Sequence, residues 1–272
     1  MMKLFTPLQQ KLLTILSDGE YHSGQHLGDL FNVSRTAIWK NIEQFESIGV
    51  HIERTSKQGY RLSKPFIPLS AAAIKAALDT QTAQALDIHL FARIDSTNRF
   101  LKTQALTNRL TCCLAETQTA GRGRFRRHWH SPFGENIYCS LGVSLADDPS
   151  QLSGLSLVVS LAMHAVLQKH SKHPIRIKWP NDLIWQNRKL AGTLIEITAE
   201  GNGNTEVIIG MGLNINSISS TSQTTIDRPW CTLRDITQQT FNRNELIADL
   251  IQTLDCYLKR IKKKGFTDFQ AT

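Results

Sequence analysis

The chain has 272 residues, with 31 Lys+Arg against 23 Asp+Glu and a formal net charge of +8. Hydrophobic residues at 41% and charged residues at 20% exclude a disordered chain, and the length suits one large domain or two unequal ones. No run of about 18 apolar residues exists to cross a membrane, no apolar stretch follows the polar start to act as a secretory signal, and five cysteines without a CxxC pair exclude a disulfide scaffold or zinc ribbon. A reduced, cytoplasmic protein is the expectation.

Leu8, Leu12, Leu13 and Ile15-Leu16 recur at helical spacing up to Asp18-Gly19. Ser23 is a good cap for a second helix reaching Phe31, and Ser34 for a third carrying Ala37, Ile38, Ile42, Phe45 and Ile48 inward before Gly49. Residues 51–55 and 59–62 alternate about Ser56-Lys57-Gln58 as a hairpin. Three helices plus a hairpin predict a winged helix-turn-helix over residues 1–64. Its third helix would present Ser34, Arg35, Thr36, Trp39 and Lys40 to a DNA major groove, with Lys57 of the wing on phosphate. A small helical domain for protein contact has the same pattern. Eight Lys/Arg against six Asp/Glu in this segment favour a dimer on two half-sites over tight binding by one copy. Pro65-Phe-Ile-Pro68 then reads as a stiff linker, residues 65–69.

From residue 70 the pattern predicts an α+β domain to residue 272. Ser70 caps an Ala-rich helix, 87–94 is a strand, 96–106 a helix, and 112–118 and 136–145 are strands. A long helix over 151–170 precedes strands at 175–179, 183–185, 190–198 and 206–214, joined by short turns at Gln186-Asn187 and Gly201-Asn-Gly-Asn204. Short turns imply antiparallel pairing, hence a mixed, mainly antiparallel sheet with flanking helices. Residues 243–264 close the pattern as a helix ending in lysines, where cations suit the helix dipole.

Four segments carry chemistry. In Gly121-Arg-Gly-Arg-Phe-Arg-Arg-His-Trp129 the arginines repel unless an anion holds them, and guanidinium forks match phosphate or carboxylate. A nucleic-acid patch or a solvated loop has the same composition, while the Gly-Lys-Ser/Thr ending of a Walker A loop is missing. Lys178-Trp-Pro-Asn-Asp182 ends a strand in a turn, where Asp182 serves either as a Mg²⁺ ligand or in an Asx-turn. Lys189 sits at a hairpin leading into a buried strand, placed to neutralise a developing phosphate oxyanion or simply to meet solvent. Gly210-Met-Gly-Leu-Asn214 puts glycines inside a strand, a sign of close approach by another group. His128 and His130, two apart on an extended stretch, do not make a metal site, and Cys112-Cys113 reads as strand core.

In this order and spacing, with Ser96-Thr-Asn98 and Gln118, the segments resemble the biotin–protein ligases over essentially the whole chain. The winged helix makes the resemblance one to the bifunctional kind, ligase and biotin operon repressor at once. It implies a class II synthetase-like catalytic domain that joins biotin to the α-phosphate of ATP. The biotinyl group then passes to a lysine of the biotin carboxyl carrier protein of acetyl-CoA carboxylase. By the resemblance, Ser96, Thr97, Asn98 and Gln118 hold biotin's ring, and Arg122, Gly123 and Arg124 lie over its tail and the phosphate. Lys189, with Arg124, is catalytic and touches the biotin carboxylate. Arg127, Trp129, Asn181 and Asn214 contact the nucleotide, and Asp182 helps hold Mg²⁺. Biotinyl-5′-AMP would also be the corepressor, inducing a homodimer on operator DNA. Two features depart from the family pattern: Arg126 stands at a usual glycine, and no small SH3-like C-terminal barrel is expected before Thr272. A biotin-sensing transcription regulator without transfer activity is the reading from another class that this departure allows. A lipoyl ligase fits the Gly-Arg-Gly-Arg and Lys-Trp-Pro-Asn-Asp segments less well.

Overall fold

The computed structural model describes residues 2–3, 5–64, 66–145, 154–199, 205–218 and 228–264. Helix α1 (Pro7–Leu16) starts on a capping box: the Thr6 hydroxyl accepts from Gln9 N, and the Gln9 side chain accepts from Thr6 N. Ser23 caps α2 (Gly24–Phe31), which ends on Asn32 in the left-handed region, and Ser34 caps α3 (Arg35–Ser47). Strands β2 (Ile52–Thr55) and β3 (Gly59–Leu62) form the expected wing. Two backbone bonds of 2.9 Å tie Tyr60 to His22, so Gly59 must lack a Cβ, which would fall 2.1 Å from His22 O. Leu12, Leu13, Leu16, Leu27, Ile38, Ile42 and Phe45 are wholly buried at the centre of this unit.

A strand unforeseen by the pattern precedes it: β1 (Met2–Lys3) pairs antiparallel with β4 (Leu86–Ile94). Two residues are too few to show a period. The large sheet continues through β5 (Leu110–Gln118), β6 (Ile137–Leu145), β7 (Arg176–Lys178), β8 (Asp182–Trp185), β9 (Arg188–Ala199) and β10 (Thr205–Leu213), in the order β1-β4-β5-β6-β10-β9-β8-β7. Among these pairs β4–β5 is parallel, with helix α6 (Thr97–Leu101) in the connection, and the rest are antiparallel. The mixed, mainly antiparallel α+β expectation holds. Helices α7 (Leu155–Gln168) and α9 (Arg243–Lys264) pack together, and their apolar faces join the sheet in the main core.

Several boundaries differ. The Ala-rich stretch is two short helices, α4 (Ala71–Ala76) and α5 (Thr80–Ala85), because Asp79 turns to accept from Thr82 N at 2.7 Å and starts a new cap. The helix expected to reach Leu106 ends at Leu101, where the Thr103 hydroxyl bonds back to Phe100 O and the chain returns to begin β5. Helix α7 starts at Leu155 on Gly154; residues 151–153 and the Gly201-Asn-Gly-Asn204 turn lie outside the described residues. Helix α8 (Leu233–Thr237), made by a Thr232/Asp235 capping box, is too short for periodicity to announce.

The segment before residue 70 is no free connector. Phe66 and Leu69 are buried, and the carbonyls of Ile67 and Pro68 accept from Arg243 and Asn244 at 3.0 Å each. Leu69 N donates to Glu116 at 2.7 Å, and Glu116 pairs with Arg243 at 2.7 Å, both side chains within 3% of full burial. Phe133 meets Phe5 and Phe66 at ring-centroid distances of 6.1 and 5.4 Å, and Lys64 pairs with Glu135 at 2.8 Å, so the helical unit docks on the sheet domain.

Candidate active site

The antiparallel strands β8, β9 and β10 form one wall of a cavity of about 600 Å³, and the 118–130 segment and the start of α6 line the facing side. All thirteen large-domain residues expected to meet ligand line it: Ser96, Thr97, Asn98, Gln118, Arg122, Gly123, Arg124, Arg127, Trp129, Asn181, Asp182, Lys189 and Asn214.

At one end the polar groups orient one another. Ser96 caps α6, which fixes the following Thr97 and Asn98 at the cavity. Gln118 Oε1 accepts from Thr97 N at 2.9 Å and from its hydroxyl at 3.1 Å, and Gln118 Nε2 donates to Ser131 at 3.3 Å. The Ser140 hydroxyl lies 2.7 Å from Thr97 Oγ1 and 2.5 Å from Asn98 Oδ1. Asn98 Nδ2 donates to Leu194 O and Glu196, at 3.2 and 2.9 Å. Gly210 makes this possible: a Cβ there would stand 2.3 Å from Asn98 Oδ1. Burial pushes the Glu196 carboxyl up, but hydrogen bonds from Lys102 and Asn98 and the Arg122 charge outweigh it and hold the group below the usual glutamate range.

The Gly-Arg segment is a closed loop. Trp129 N donates to Gly121 O at 2.9 Å, and Gly123 N to Arg127 O at 2.7 Å. Its four guanidiniums do not converge on one point, contrary to the simplest expectation. Arg122 reaches Glu196 at 3.2 Å, and Arg124 donates to Asn181 Oδ1 at 3.3 Å. Arg124 and Arg127 stand 5.3 and 5.9 Å from the ring of Phe125, itself 80% exposed. Arg126 lies outside the main cavity, exposed, and has φ +58° beside Phe125 at +57°. Two successive left-handed residues with side chains cost about 1–2 kcal/mol each, where glycine costs little.

The other end centres on Lys189. It is the second residue of β9; its N donates to Pro229 O and its O accepts from Cys231 N, each at 2.9 Å, so its backbone is fixed on both sides. Lys189 Nζ lies 2.8 Å from Asp182 Oδ1 and 5.2 Å from the centre of the Trp129 ring. That Asp182 oxygen is buried and makes no hydrogen bond of good geometry, leaving the contact an ion pair. Asp182 thus opens β8 and not a free turn. Gly192 and Gly212 keep the strands bare here: added Cβ atoms would fall 2.8 Å from Lys189 Nζ and 2.5 Å from the Trp129 ring. Trp129 Nε1 is buried without a partner. Asn181 Nδ2 donates to Thr193 O at 2.7 Å, and Asn214 Nδ2 to Lys189 O at 3.3 Å. No group of three or more His, Cys, Asp or Glu side chains suited to a metal occurs among the described residues. His128 and His130 line the cavity; burial, then the neighbouring His128 charge, lowers the His130 pKa.

Sequence reasoning missed Ser140, Ser131, Glu196 and Trp230, which also belongs to the lining. For Glu196 and Ser140 a signal existed: a carboxylate in Leu194-Ile-Glu-Ile197 and a serine between Cys139 and Leu141 in β6 interrupt otherwise apolar runs.

On the helical unit, Arg35, Thr36, Lys40 and Lys57 are exposed, and Trp39 is 46% exposed. Ser34 is exposed too, with its oxygen committed to Ala37 N at 3.1 Å.

Residues 90–214 match the biotin/lipoate A/B protein ligase family, and residues 8–61 match a helix-turn-helix domain. The chain is 37% identical to the bifunctional ligase/repressor BirA of Salmonella typhimurium over 265 residues, 97% of this chain and 81% of that protein. It is 36% identical to the Escherichia coli protein of the same name, covering 95% and 79%. Among solved structures, biotin protein ligase from Aquifex aeolicus in complex with biotin and ATP superposes with a TM-score of 0.58 at 28% identity, over 68% of this chain and 75% of that one. The Leishmania major ligase with biotinyl-5-AMP gives 0.51 at 27%, over 64% and 75%. This chain therefore belongs to the biotin–protein ligase family, in the branch of bifunctional ligase/repressors that carry an N-terminal helix-turn-helix domain.

Proposed function

We propose that the chain activates biotin with ATP, transfers it to the carrier protein of a biotin-dependent carboxylase such as acetyl-CoA carboxylase, and represses transcription when it holds the activated vitamin. The observation that carries this reading is one cavity joining an amide- and hydroxyl-lined end to arginines and to an ammonium beside a cradled indole. Ser96, Thr97, Asn98 and Gln118 offer donors and acceptors to the neutral polar ring of biotin. Arg122, Gly123 and Arg124 cover its tail. A biotin carboxylate oxygen attacks the α-phosphorus of ATP, and pyrophosphate leaves. Two anions meet in that step, so positioning and positive charge carry most of the rate. Lys189 supplies the charge at the carboxylate and α-phosphate oxygens, and Arg124 swings from Asn181 to join it. Trp129 stacks on adenine, while Arg127, Asn181 and Asn214 bond to the nucleotide. The amine of the carrier lysine then attacks the anhydride carbonyl, and AMP departs with the electron pair.

Asp182 is the one carboxylate lining the cavity among the described residues, a donor set that fits Mg²⁺ arriving on the triphosphate and not a dedicated cage. The metal would offset phosphate charge, and Asp182 would exchange its Lys189 partner for it. The test is biotin-dependent exchange of labelled pyrophosphate into ATP, followed by label transfer to a carrier domain. Exchange that ignores biotin would refute the reading.

Residues 1–64 form the DNA-reading part, residues 65–69 the connection and the remainder the catalytic part. Ser34, Arg35, Thr36, Trp39 and Lys40 face operator DNA, with Lys57 on phosphate. Biotinyl-5′-AMP favours a homodimer whose two wings span the operator. Gel-shift affinity that rises with biotin plus ATP is expected; equal affinity without them removes the corepressor role. Five free cysteines, four of them buried, suit the reducing cytoplasm.

A further inference from the structure

Glu196 is the point where three parts of the cavity wall meet. It projects from the middle of β9, its side chain 19% exposed. Lys102, just past the end of α6, pairs with Oε1 at 2.7 Å. Asn98 donates to Oε2 at 2.9 Å, and Arg122 of the Gly-Arg loop reaches the same oxygen at 3.2 Å. The consequences fall on two groups that face the ligand. With Nδ2 committed to Glu196 and Leu194 O, the Asn98 amide has one orientation, Oδ1 towards Ser140. With its Nη2 held by Glu196, Arg122 keeps a buried Nε–H that bonds to nothing. A buried, unpartnered donor on a cavity wall calls for an acceptor oxygen.

We infer that Glu196 is a positioning residue for the vitamin: it fixes the Asn98 amide and turns Arg122 so that its Nε–H points at an oxygen of biotin. The inference rests on the biotin ligase reading and deepens it. Glu196 touches neither the nucleotide end nor Lys189, so its loss acts on biotin affinity and not on the chemical step. A carboxylate is required, because a neutral amide presents one acceptor where Lys102, Asn98 and Arg122 need two, and turns an N–H towards a cation.

The experiment compares the full chain with Glu196→Gln, Arg122→Gln and the double variant, by calorimetric titration with d-biotin and by biotin-dependent pyrophosphate exchange. Glu196→Gln is expected to raise the Kd and the KM for biotin at least tenfold, with the KM for ATP and kcat within twofold and a melting transition within a few degrees. Arg122→Gln should weaken biotin binding as well, and the double variant should lose less than the sum of the two single losses, since Glu196 acts partly through Arg122. Equal biotin affinity in the wild-type and Glu196→Gln chains overturns the inference and leaves the ligase reading standing. Equal losses for biotin and ATP, or fully additive losses, also overturn it and mark a merely structural role. A wild-type chain that takes up no biotin defeats both.

Discussion

At the Lys189 end of the cavity, glycines make the room that large side chains occupy. The Lys189 amine is held by Asp182, by fixed backbone on both sides and by the space that Gly192 leaves, so on the proposed reading it meets the reacting oxygens already oriented. Lys189→Ala is expected to lower adenylate formation by about 10²–10³-fold, the cost of removing one preorganised donor, while the melting temperature moves little. Single-turnover formation of the adenylate measures it, and a rate near wild type would reject Lys189 as the charge on the reacting oxygens. Gly212→Ala tests the indole cradle. Its Cβ would stand 2.5 Å from the Trp129 ring, so the ring must leave its place on the strand. The KM for ATP should rise about tenfold, near 1.4 kcal/mol, with the KM for biotin unchanged. Both residues were legible in the sequence as types, a lysine at a hairpin and glycines inside a strand. That Gly212 serves Trp129 was not, because 83 positions separate them along the chain.

Among elements, the strongest restraint is the buried pair between Glu116 on β5 and Arg243 at the start of α9. Arg243 also donates to Asn136 O, beside the cavity, and to Ile67 O, so one guanidinium ties two elements and the segment joining the two parts of the chain. Removing one partner leaves an uncompensated buried charge, and Arg243→Ala should destabilise the fold by about 3–5 kcal/mol in denaturant titration. A loss below 1 kcal/mol would mean water reaches Glu116. Caps and periodicity placed α1, α2, α3 and α9 correctly because those signals are local. The elements that escaped, β1, α8 and the break between α4 and α5, are two to six residues long and owe their form to a partner strand or a single cap.

One short stretch of the sheet domain, beside the β1–β4 pairing, carries much of the contact with the helical unit. Between Trp129 at the cavity and Asn136 lies Phe133, packed on Phe5 and Phe66, then Glu135, paired with Lys64. Such small contacts between units ordinarily permit relative motion. Phe133→Ala should loosen the helical unit and speed proteolytic cutting between residues 63 and 69, without shifting the main melting transition. Unchanged cutting would show that β1 and the ion pair suffice to hold it. Arg35→Ala should weaken operator binding by about tenfold, or 1.4 kcal/mol, at constant salt and leave adenylation untouched. The sequence alone determined the helix caps at Ser23, Ser34 and Ser70, the alternation of the strands, the mixed sheet and the kinds of group at the site, since each depends on near neighbours or on side-chain chemistry. Tertiary structure decided which arginine meets which partner, that Glu196 joins Asn98 to the loop, and that Asp182 faces Lys189. The Arg124–Asn181 and Asn98–Glu196 contacts join residues 57 and 98 positions apart, and Asp182 meets Lys189 across a hairpin, so sheet register and not spacing sets each distance.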